Sequence, residues 1–263
     1  MFIDTHTHLY SDKFAGDRDA VLQRAWDNGV EMALLPAIDH STHAAMLALE
    51  AAHPERCRAM IGLHPVSVGE DYEEELAEVE RYLAAREWVA IGEIGMDLYW
   101  DKTYQRQQED AFLRQCAWAV DYDLPISIHA RDAIDNLLEL LEGIGNPVLR
   151  GVFHCFTGDV VQAERALDLG FYLGMGGVLT FKNGGLEPVV KKVPRTSVLL
   201  ETDSPYLAPT PHRGKRNETA YLPHVAEKVA ELWGVSVEEV GRITTANARQ
   251  LFGLEGFSNP RPN

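Results

Sequence analysis

Two histidines, His6 and His8, close an apolar run at the start of the chain, Phe2-Ile3-Asp4-Thr5-His6-Thr7-His8. On a strand, residues two apart point to one face with Cβ atoms roughly 6 to 7 Å apart, whereas on a helix they diverge by about 200°. Two neutral imidazoles converging on one point suit a divalent cation, although a His-x-His is also an ordinary polar strand end. The remaining polar residues must decide. Groups of matching chemistry recur as His64, Glu93, His129, His154 and Asp203. His6, His8, His129 and His154 with Glu93 and Asp203 supply enough N and O donors for two divalent ions, Glu93 being placed to bridge. Cysteine is not needed. Cys57, Cys116 and Cys155 lie far apart and in no C-x-x-C spacing, so reduced, mostly buried thiols are expected. Strand alternation turns Cys155 outward under a helix if His154 points inward.

The elements that must bring these residues together follow from short apolar runs alternating with amphipathic stretches. After His8 come a helix over 17–28, stopped by Gly29, and a strand over 30–38. A helix over 42–52, a strand over 57–63, an acidic helix over 70–87 and a strand over 89–94 follow. Next are a helix over 104–122, a strand over 124–129, a helix over 133–142 and a strand over 149–153. A helix over 160–169, a strand over 171–175, a helix over 186–193 and a strand over 197–200 bring the β/α units to eight. Near-continuous apolar strands between amphipathic helices mean a parallel sheet covered by helices. Eight of them, without a Gly-rich dinucleotide fingerprint, favour a (β/α)8 TIM barrel of the α/β class over an open sheet. One domain over 1–263 is expected, with helices over 222–233 and 237–251 outside the barrel and a disordered tail over 255–263. In such a barrel the chemistry sits at the C-terminal ends of the strands, which is where His6, His8, His64, Glu93, His129, His154 and Asp203 fall.

The chain has 263 residues and a formal net charge of −16, which excludes a broad basic surface for holding nucleic acid. It does not exclude a nuclease, because divalent cations in a cleft supply positive charge where a phosphate binds. Much of the acid lies in the helix over 70–87, expected to face solvent. No apolar run approaches the ~18 residues of a membrane span, and the start lacks a basic n-region before an apolar h-region. A cytoplasmic protein with no membrane partner and no obligate protein partner is the expectation.

These residues also carry a family resemblance. The chain resembles the TatD-type metal-dependent deoxyribonucleases of the amidohydrolase-like barrel superfamily. The matching blocks are FIDTHTH over 2–8, GLHP over 62–65, IGEIGMD over 91–97, IHARDA over 128–133 and GVFHCFTG over 151–158. TFKN over 180–183, ETDSPYLAP over 201–209, GKRNE over 214–218 and NARQLFG over 247–253 continue the match over nearly the whole chain. The resemblance implies that His6 and His8 hold one ion with Asp203, that His129 and His154 hold the second, and that Glu93 bridges. It departs from the family at Met96, Leu98, Ala130 and Thr219, positions that bear on substrate preference more than on metal.

The activity expected is hydrolysis of DNA phosphodiesters, as a 3'-5' exonuclease on single strands or ends, with zinc, magnesium or manganese as the two ions. The metal pair activates a water and polarises a phosphoryl oxygen, Glu93 and Asp203 are the catalytic carboxylates, and Asp203 takes the water's proton. Arg131, Lys182, Arg213, Lys215 and Arg216, in loops after the fifth, seventh and eighth strands, are candidates to hold phosphates. His64 contacts substrate or supports a ligand, and Glu201, one layer below Asp203, is either a buried carboxylate supporting a ligand or a catalytic one. Tyr99 and Trp100 are candidates for base stacking. His40, His43, His53 and His224 have the pattern of surface or helix-end residues, and His212 has no assigned role. A small-molecule amidohydrolase acting on an amide, lactone or phosphotriester, and a non-catalytic metal-stabilised interaction protein, are the alternatives.

Overall fold

A computed structural model of the chain describes residues 1–99 and 101–254. Trp100 and the tail expected to be disordered, 255–263, lie outside the described residues. The strands are β1 (Phe2–Asp4), β2 (Val30–Leu35), β3 (Cys57–Ala59), β4 (Ile91–Asp97), β5 (Ile126–Arg131), β6 (Gly151–Phe153), β7 (Phe171–Met175) and β8 (Val198–Leu200). Helices α1 (Arg18–Asp27), α2 (His40–Ala52), α3 (Tyr72–Ala85), α4 (Gln105–Asp121), α5 (Ile134–Ile144), α6 (Val160–Asp168) and α7 (Glu187–Lys192) alternate with them. After β8 come α8 (Leu222–Trp233) and α9 (Val237–Phe252). Neighbouring strands pair parallel in chain order, the arrangement of a (β/α)8 barrel.

The ladder is not continuous around the ring. It divides into β1-β2-β3 and β4-β5-β6-β7-β8. Backbone hydrogen bonds span both seams, Gly92 N to Ile61 O at 2.9 Å and Thr5 N to Leu200 O at 3.1 Å. Several strands are shorter than their apolar runs because the chain beyond them shares its hydrogen bonds among neighbours. After Asp4, Thr5 N turns to Leu200 O, Thr7 N to Leu34 O and His8 N to Ser204 O. His6 and His8 therefore lie past the end of β1, on a bent segment held between β2 and the segment after β8.

Side-chain caps set where the helices begin. Asp39 and Thr42 form a capping box on α2, Asp159 and Gln162 another on α6, and Ser236 caps α9. Gly29, at φ 83°, makes the turn from α1 into β2 that a side chain would strain. The acidic helix α3 does not face solvent all round. Leu76, Val79 and Leu83 form its buried stripe, and Glu75 is buried with Oε2 accepting the His40 backbone N–H at 3.1 Å. His43 is likewise not a surface residue. It shares the buried face of α2 with Met46 and Leu49, three and six residues on, and its ring meets Tyr82 edge-on at 4.8 Å.

Both faces of the strands are buried, which explains their unbroken apolar composition. Ala33, Leu35, Phe153 and Leu200 belong to the cluster shared with the outer helices. Ile3, Met32, Leu34, Val152 and Leu199 pack with Ala248, Leu251 and Phe252 of α9. Burial of such aliphatic side chains stabilises the fold by about 1.5–3 kcal/mol each. Among the described residues no helix is long and apolar enough to cross a membrane.

Candidate metal centre

Glu93 stands at the centre of the site, on β4, 2% exposed. Its Oε2 lies 3.1 Å from His6 Nε2 and 3.6 Å from His8 Nε2. Its Oε1 lies 2.8 Å from His129 Nδ1, 2.8 Å from His154 Nε2 and 3.3 Å from His64 Nε2. Asp203 Oδ1 approaches His6 Nε2 at 3.9 Å and His8 Nε2 at 3.6 Å. The His6 and His154 rings stack at 3.7 Å. All six residues expected as ligands are thus brought together, and His64 joins them beside Glu93. Asp203 sits at φ 56°, a left-handed conformation that aspartate tolerates better than most side chains. Hydrogen bonds from Asp203 N to His6 O at 2.9 Å and from Tyr206 N to Asp203 O at 2.8 Å hold it there.

Each imidazole is oriented through its other nitrogen. His8 Nδ1 is 2.8 Å from the Tyr10 hydroxyl, which itself donates to Pro36 O at 2.6 Å. A hydroxyl has one proton and a carbonyl only accepts, so His8 in its neutral form carries its proton on Nδ1 and a lone pair on Nε2. His129 Nε2 lies 3.0 Å from Asp97 Oδ2, and His6 Nδ1 lies 3.2 Å from Ser127 Oγ. His154 Nδ1 is 3.3 Å from Glu201 Oε1, a longer contact that falls short of a well-aligned hydrogen bond. Glu201 packs on Gly174, where a Cβ would stand 2.3 Å from its Oε2. His64 has the opposite polarity to His8. Its Nδ1 accepts the Val66 N–H at 3.0 Å, so the neutral ring carries its proton on Nε2, aimed at Glu93.

The electrostatics match this packing. Burial, opposed by Glu93, lowers His6 to about 4, and burial with neighbouring His6 lowers His8 to about 3, so both are neutral bases. Burial works against the charged form of Glu93 too, yet the imidazoles of His64, His154 and His6 outweigh it and hold the carboxyl well below its ordinary range. For His154 burial is outweighed by Glu93 and Glu201, and for His129 by Asp97 and Glu93, so both are raised. Burial, with Glu93 and Glu201 nearby, pushes Asp203 up to about 7.

The donor set fits a divalent cation. His6, His8 and Asp203 form one group whose ligand atoms all lie within 4.8 Å of one another; His6, Glu93 and His154 form a second, and His64, Glu93 and His129 a third. The His8 Nε2 lone pair faces Glu93 Oε2 and Asp203 Oδ1, both at 3.6 Å, a convergence of acceptor atoms that suits a cation. His64 is the weakest donor, because its Nε2 lone pair is taken by the proton.

The comparisons with known proteins agree. The family model described as TatD related DNase matches residues 3–253. The chain belongs to this family. An uncharacterized metal-dependent hydrolase, YabD of Bacillus subtilis (strain 168), is 40% identical over 255 residues, covering 97% of this chain and 100% of the relative. The 3'-5' ssDNA/RNA exonuclease TatD of Erwinia tasmaniensis is 34% identical over 257 residues, covering 95% and 99%. The crystal structure of YJJV, a TatD homologue from Escherichia coli K12, superposes with a TM-score of 0.87 at 33% identity, covering 96% of this chain and 98% of that one. Metal-dependent hydrolysis is thus the chemistry of the family to which this TatD-related chain belongs.

The residues expected to hold phosphates are placed less uniformly. Arg131 is exposed at the end of β5 with its guanidinium 3.8 Å from the Tyr99 ring centroid. Arg213, also exposed, lies 3.7 Å from the Phe181 ring, and Lys182 and Lys215 are exposed in their loops. Arg216 is paired within the fold. Its guanidinium donates to Asp17 at 2.8 and 2.6 Å, to Glu218 at 3.1 Å and to Lys13 O at 2.8 Å. Glu218 in turn accepts from Arg24 at 2.8 and 2.9 Å, and Asn217 donates to Thr202 O at 2.7 Å. The GKRNE block is therefore a strap tying the loop after β8 to α1. Cys155, at φ 43°, departs from regular strand alternation, and its backbone N–H donates to Glu201 Oε1 at 2.5 Å.

Three residues of the site escaped the sequence reasoning: Tyr10, Asp97 and Ser127. Each had a signal, lying two or four positions from a ligand on the same run of chain, Tyr10 from His8, Ser127 from His129 and Asp97 from Glu93.

Proposed function

We propose that this chain is a deoxyribonuclease, a 3'-5' exonuclease on single strands or ends of DNA, using two divalent cations that are zinc, magnesium or manganese. One observation carries the reading: the buried Glu93 carboxylate turns one oxygen to His6 and His8 and the other to His129 and His154. His6, His8 and Asp203 would hold one ion and His129 and His154 the other, with Glu93 contributing to both. The polarity of cleavage and the nucleic-acid substrate are supported by the names of relatives such as the Erwinia exonuclease. The cytoplasm is the proposed compartment, since its reducing conditions suit the free thiols of Cys57, Cys116 and Cys155.

When bound, the ions supply a water of lowered pKa and polarise the phosphoryl group. The chain's own residues do the rest. Asp203, whose side chain is 14% exposed against 3% for Glu93 and 0% for Glu201, is the carboxylate open to an incoming water and accepts its proton. His64 presents Nε2–H beside Glu93, where it donates to a phosphoryl oxygen as negative charge develops. Tyr10, Ser127, Asp97 and Glu201 hold the four imidazoles in register. Arg131, Lys182, Arg213 and Lys215 lie at the end of β5 and in the loops after β7 and β8 and contact flanking phosphates.

End-labelled DNA and RNA single strands incubated with each cation test the reading, with Glu93→Ala as the control. Stepwise shortening from the 3' end that is lost on chelation and in Glu93→Ala is expected. Full activity after complete metal removal, or no cleavage with any cation, would overturn it.

A further inference from the structure

Asp4, the last residue of β1, is a fully buried carboxylate whose hydrogen bonds run to the main chain beside the ligands instead of to an imidazole ring. It stands where the ladder is interrupted. Between β8 and β1 the segments that carry His6, His8 and Asp203 run side by side, held by Thr5 N to Leu200 O at 3.1 Å, Asp203 N to His6 O at 2.9 Å and His8 N to Ser204 O at 2.8 Å. Asp203, at φ 56°, leaves extended geometry, so regular strand pairing does not continue through its neighbours.

Asp4 takes up amides on both sides of that break. Its Oδ1 accepts the Thr202 N–H at 3.0 Å and faces the His6 N–H at 3.4 Å, and its Oδ2 accepts the Thr202 hydroxyl proton at 2.6 Å. The Thr202 oxygen in turn accepts the Ser204 N–H at 3.2 Å. One carboxylate thereby reaches the main chain of His6 and, directly or through one hydroxyl, of both residues that flank Asp203. The donors that converge on it need an acceptor with two oxygens, which an aliphatic side chain does not offer. Thr7 and Ser204 brace the same seam with hydroxyls 2.6 Å apart, and Thr219 joins them 3.1 Å from Thr7. His129 and His154 come from β5 and the end of β6, whose outer neighbours in the ladder are β4 and β7.

We propose that Asp4 is a positioning residue for the ion assigned to His6, His8 and Asp203: by tying the main chain of His6 to that of Thr202 and Ser204, it fixes the separation of these ligands. This rests on the two-ion reading. The carboxylate acts through hydrogen bonds rather than through its charge, so asparagine, which keeps an oxygen toward both amides, replaces it and alanine does not. Thr202→Val tests the same device from the other side, because it preserves the β-branched shape and removes the hydroxyl that links Asp4 to Ser204.

The experiment titrates zinc, magnesium and manganese, each alone, into metal-free wild type, Asp4→Ala, Asp4→Asn and Thr202→Val in competition with a chromophoric chelator. His8→Ala and His129→Ala identify which binding step belongs to which ion. Asp4→Ala is expected to weaken the step lost in His8→Ala by roughly ten-fold or more and to leave the step lost in His129→Ala unchanged. Thr202→Val should shift the same step in the same direction, and Asp4→Asn should recover most of the loss. Equal weakening of both steps would make Asp4 a general prop of the fold, and asparagine no better than alanine would make the charge decisive. Two unchanged steps in Asp4→Ala and Thr202→Val alike would show that the seam holds without it. Each of these results overturns the positioning role and leaves the two-ion reading standing. Should Asp4→Ala fail to fold, selective weakening in Thr202→Val supports the role and its absence overturns it. A wild type that binds none of the cations overturns the two-ion reading and the positioning role with it.

Discussion

Replacing Tyr10 by phenylalanine removes a single oxygen, yet the structure gives that oxygen control over a tautomer. Tyr10 is 3% exposed, donates to Pro36 O at 2.6 Å and accepts from His8 Nδ1 at 2.8 Å. In Tyr10→Phe both partners stay buried and lose their hydrogen bond. An unsatisfied buried donor or acceptor costs about 1–3 kcal/mol, so with two such groups the variant should unfold more easily by about 2–6 kcal/mol. The larger consequence is chemical. Without its acceptor, His8 is free to carry its proton on Nε2, the atom facing Asp203 and Glu93, where it blocks a cation. Loss of such an outer partner weakens metal affinity about 10- to 100-fold, or about 1.4–2.7 kcal/mol. The loss should fall on the ion held by His6, His8 and Asp203 and spare the one at His129 and His154. Competition against a chromophoric chelator resolves the two steps, with urea unfolding of the metal-free variant run alongside. If the variant folds and both binding constants stay within about two-fold of wild type, the hydroxyl does not set the tautomer and the case for Nε2 ligation by His8 fails.

Further outcomes follow from the same geometry. Gly174→Ala places a methyl 2.3 Å from Glu201 Oε2, so Glu201 must leave His154; overpacking should cost about 1–3 kcal/mol, and metal analysis should show the second ion weakened while His6→Ala weakens the first. Cation uptake should release protons near neutral pH, because His129 and His154 are raised above the ordinary histidine value and Asp203 lies at about 7, whereas His6 and His8, at about 4 and 3, are already neutral. Affinity should therefore rise with pH through the neutral range and fall as pH drops, and calorimetry showing no dependence on buffer ionisation heat would refute this. Arg216→Ala should lower the unfolding midpoint, at a cost of about 1 kcal/mol for a part-exposed network, whereas Arg213→Ala should raise KM for DNA; the reverse pattern would return Arg216 to the substrate.

What the sequence revealed of this site was set by the strand's period of two. His6 and His8 share a spacing that converges on a strand, and every ligand was visible because it stood at or just past the end of an apolar run. The same rule extends to residues that were passed over. Tyr10 lies two positions beyond His8, Ser127 two before His129, and Asp97 four beyond Glu93, so each support rides on the chain segment of the ligand it serves or of that ligand's neighbour. The rule lapses where the backbone leaves the strand: Cys155 sits at φ 43° and its backbone N–H donates to Glu201. It is silent on contacts made by loops, which is why Arg216 looked available for phosphate although Asp17, remote in sequence, already holds it. His43 was misplaced for a related reason, since its own polarity outweighed the spacing to Met46 and Leu49 that puts it on the buried face of α2. Local periodicity thus tells which side chains enter the barrel mouth, and tertiary charge pairing decides which cations remain there to meet a substrate. In a chain this acidic, an arginine near the site is as readily claimed by a carboxylate of its own fold as by a phosphate, so a basic loop motif is weak evidence for binding until its partners are known.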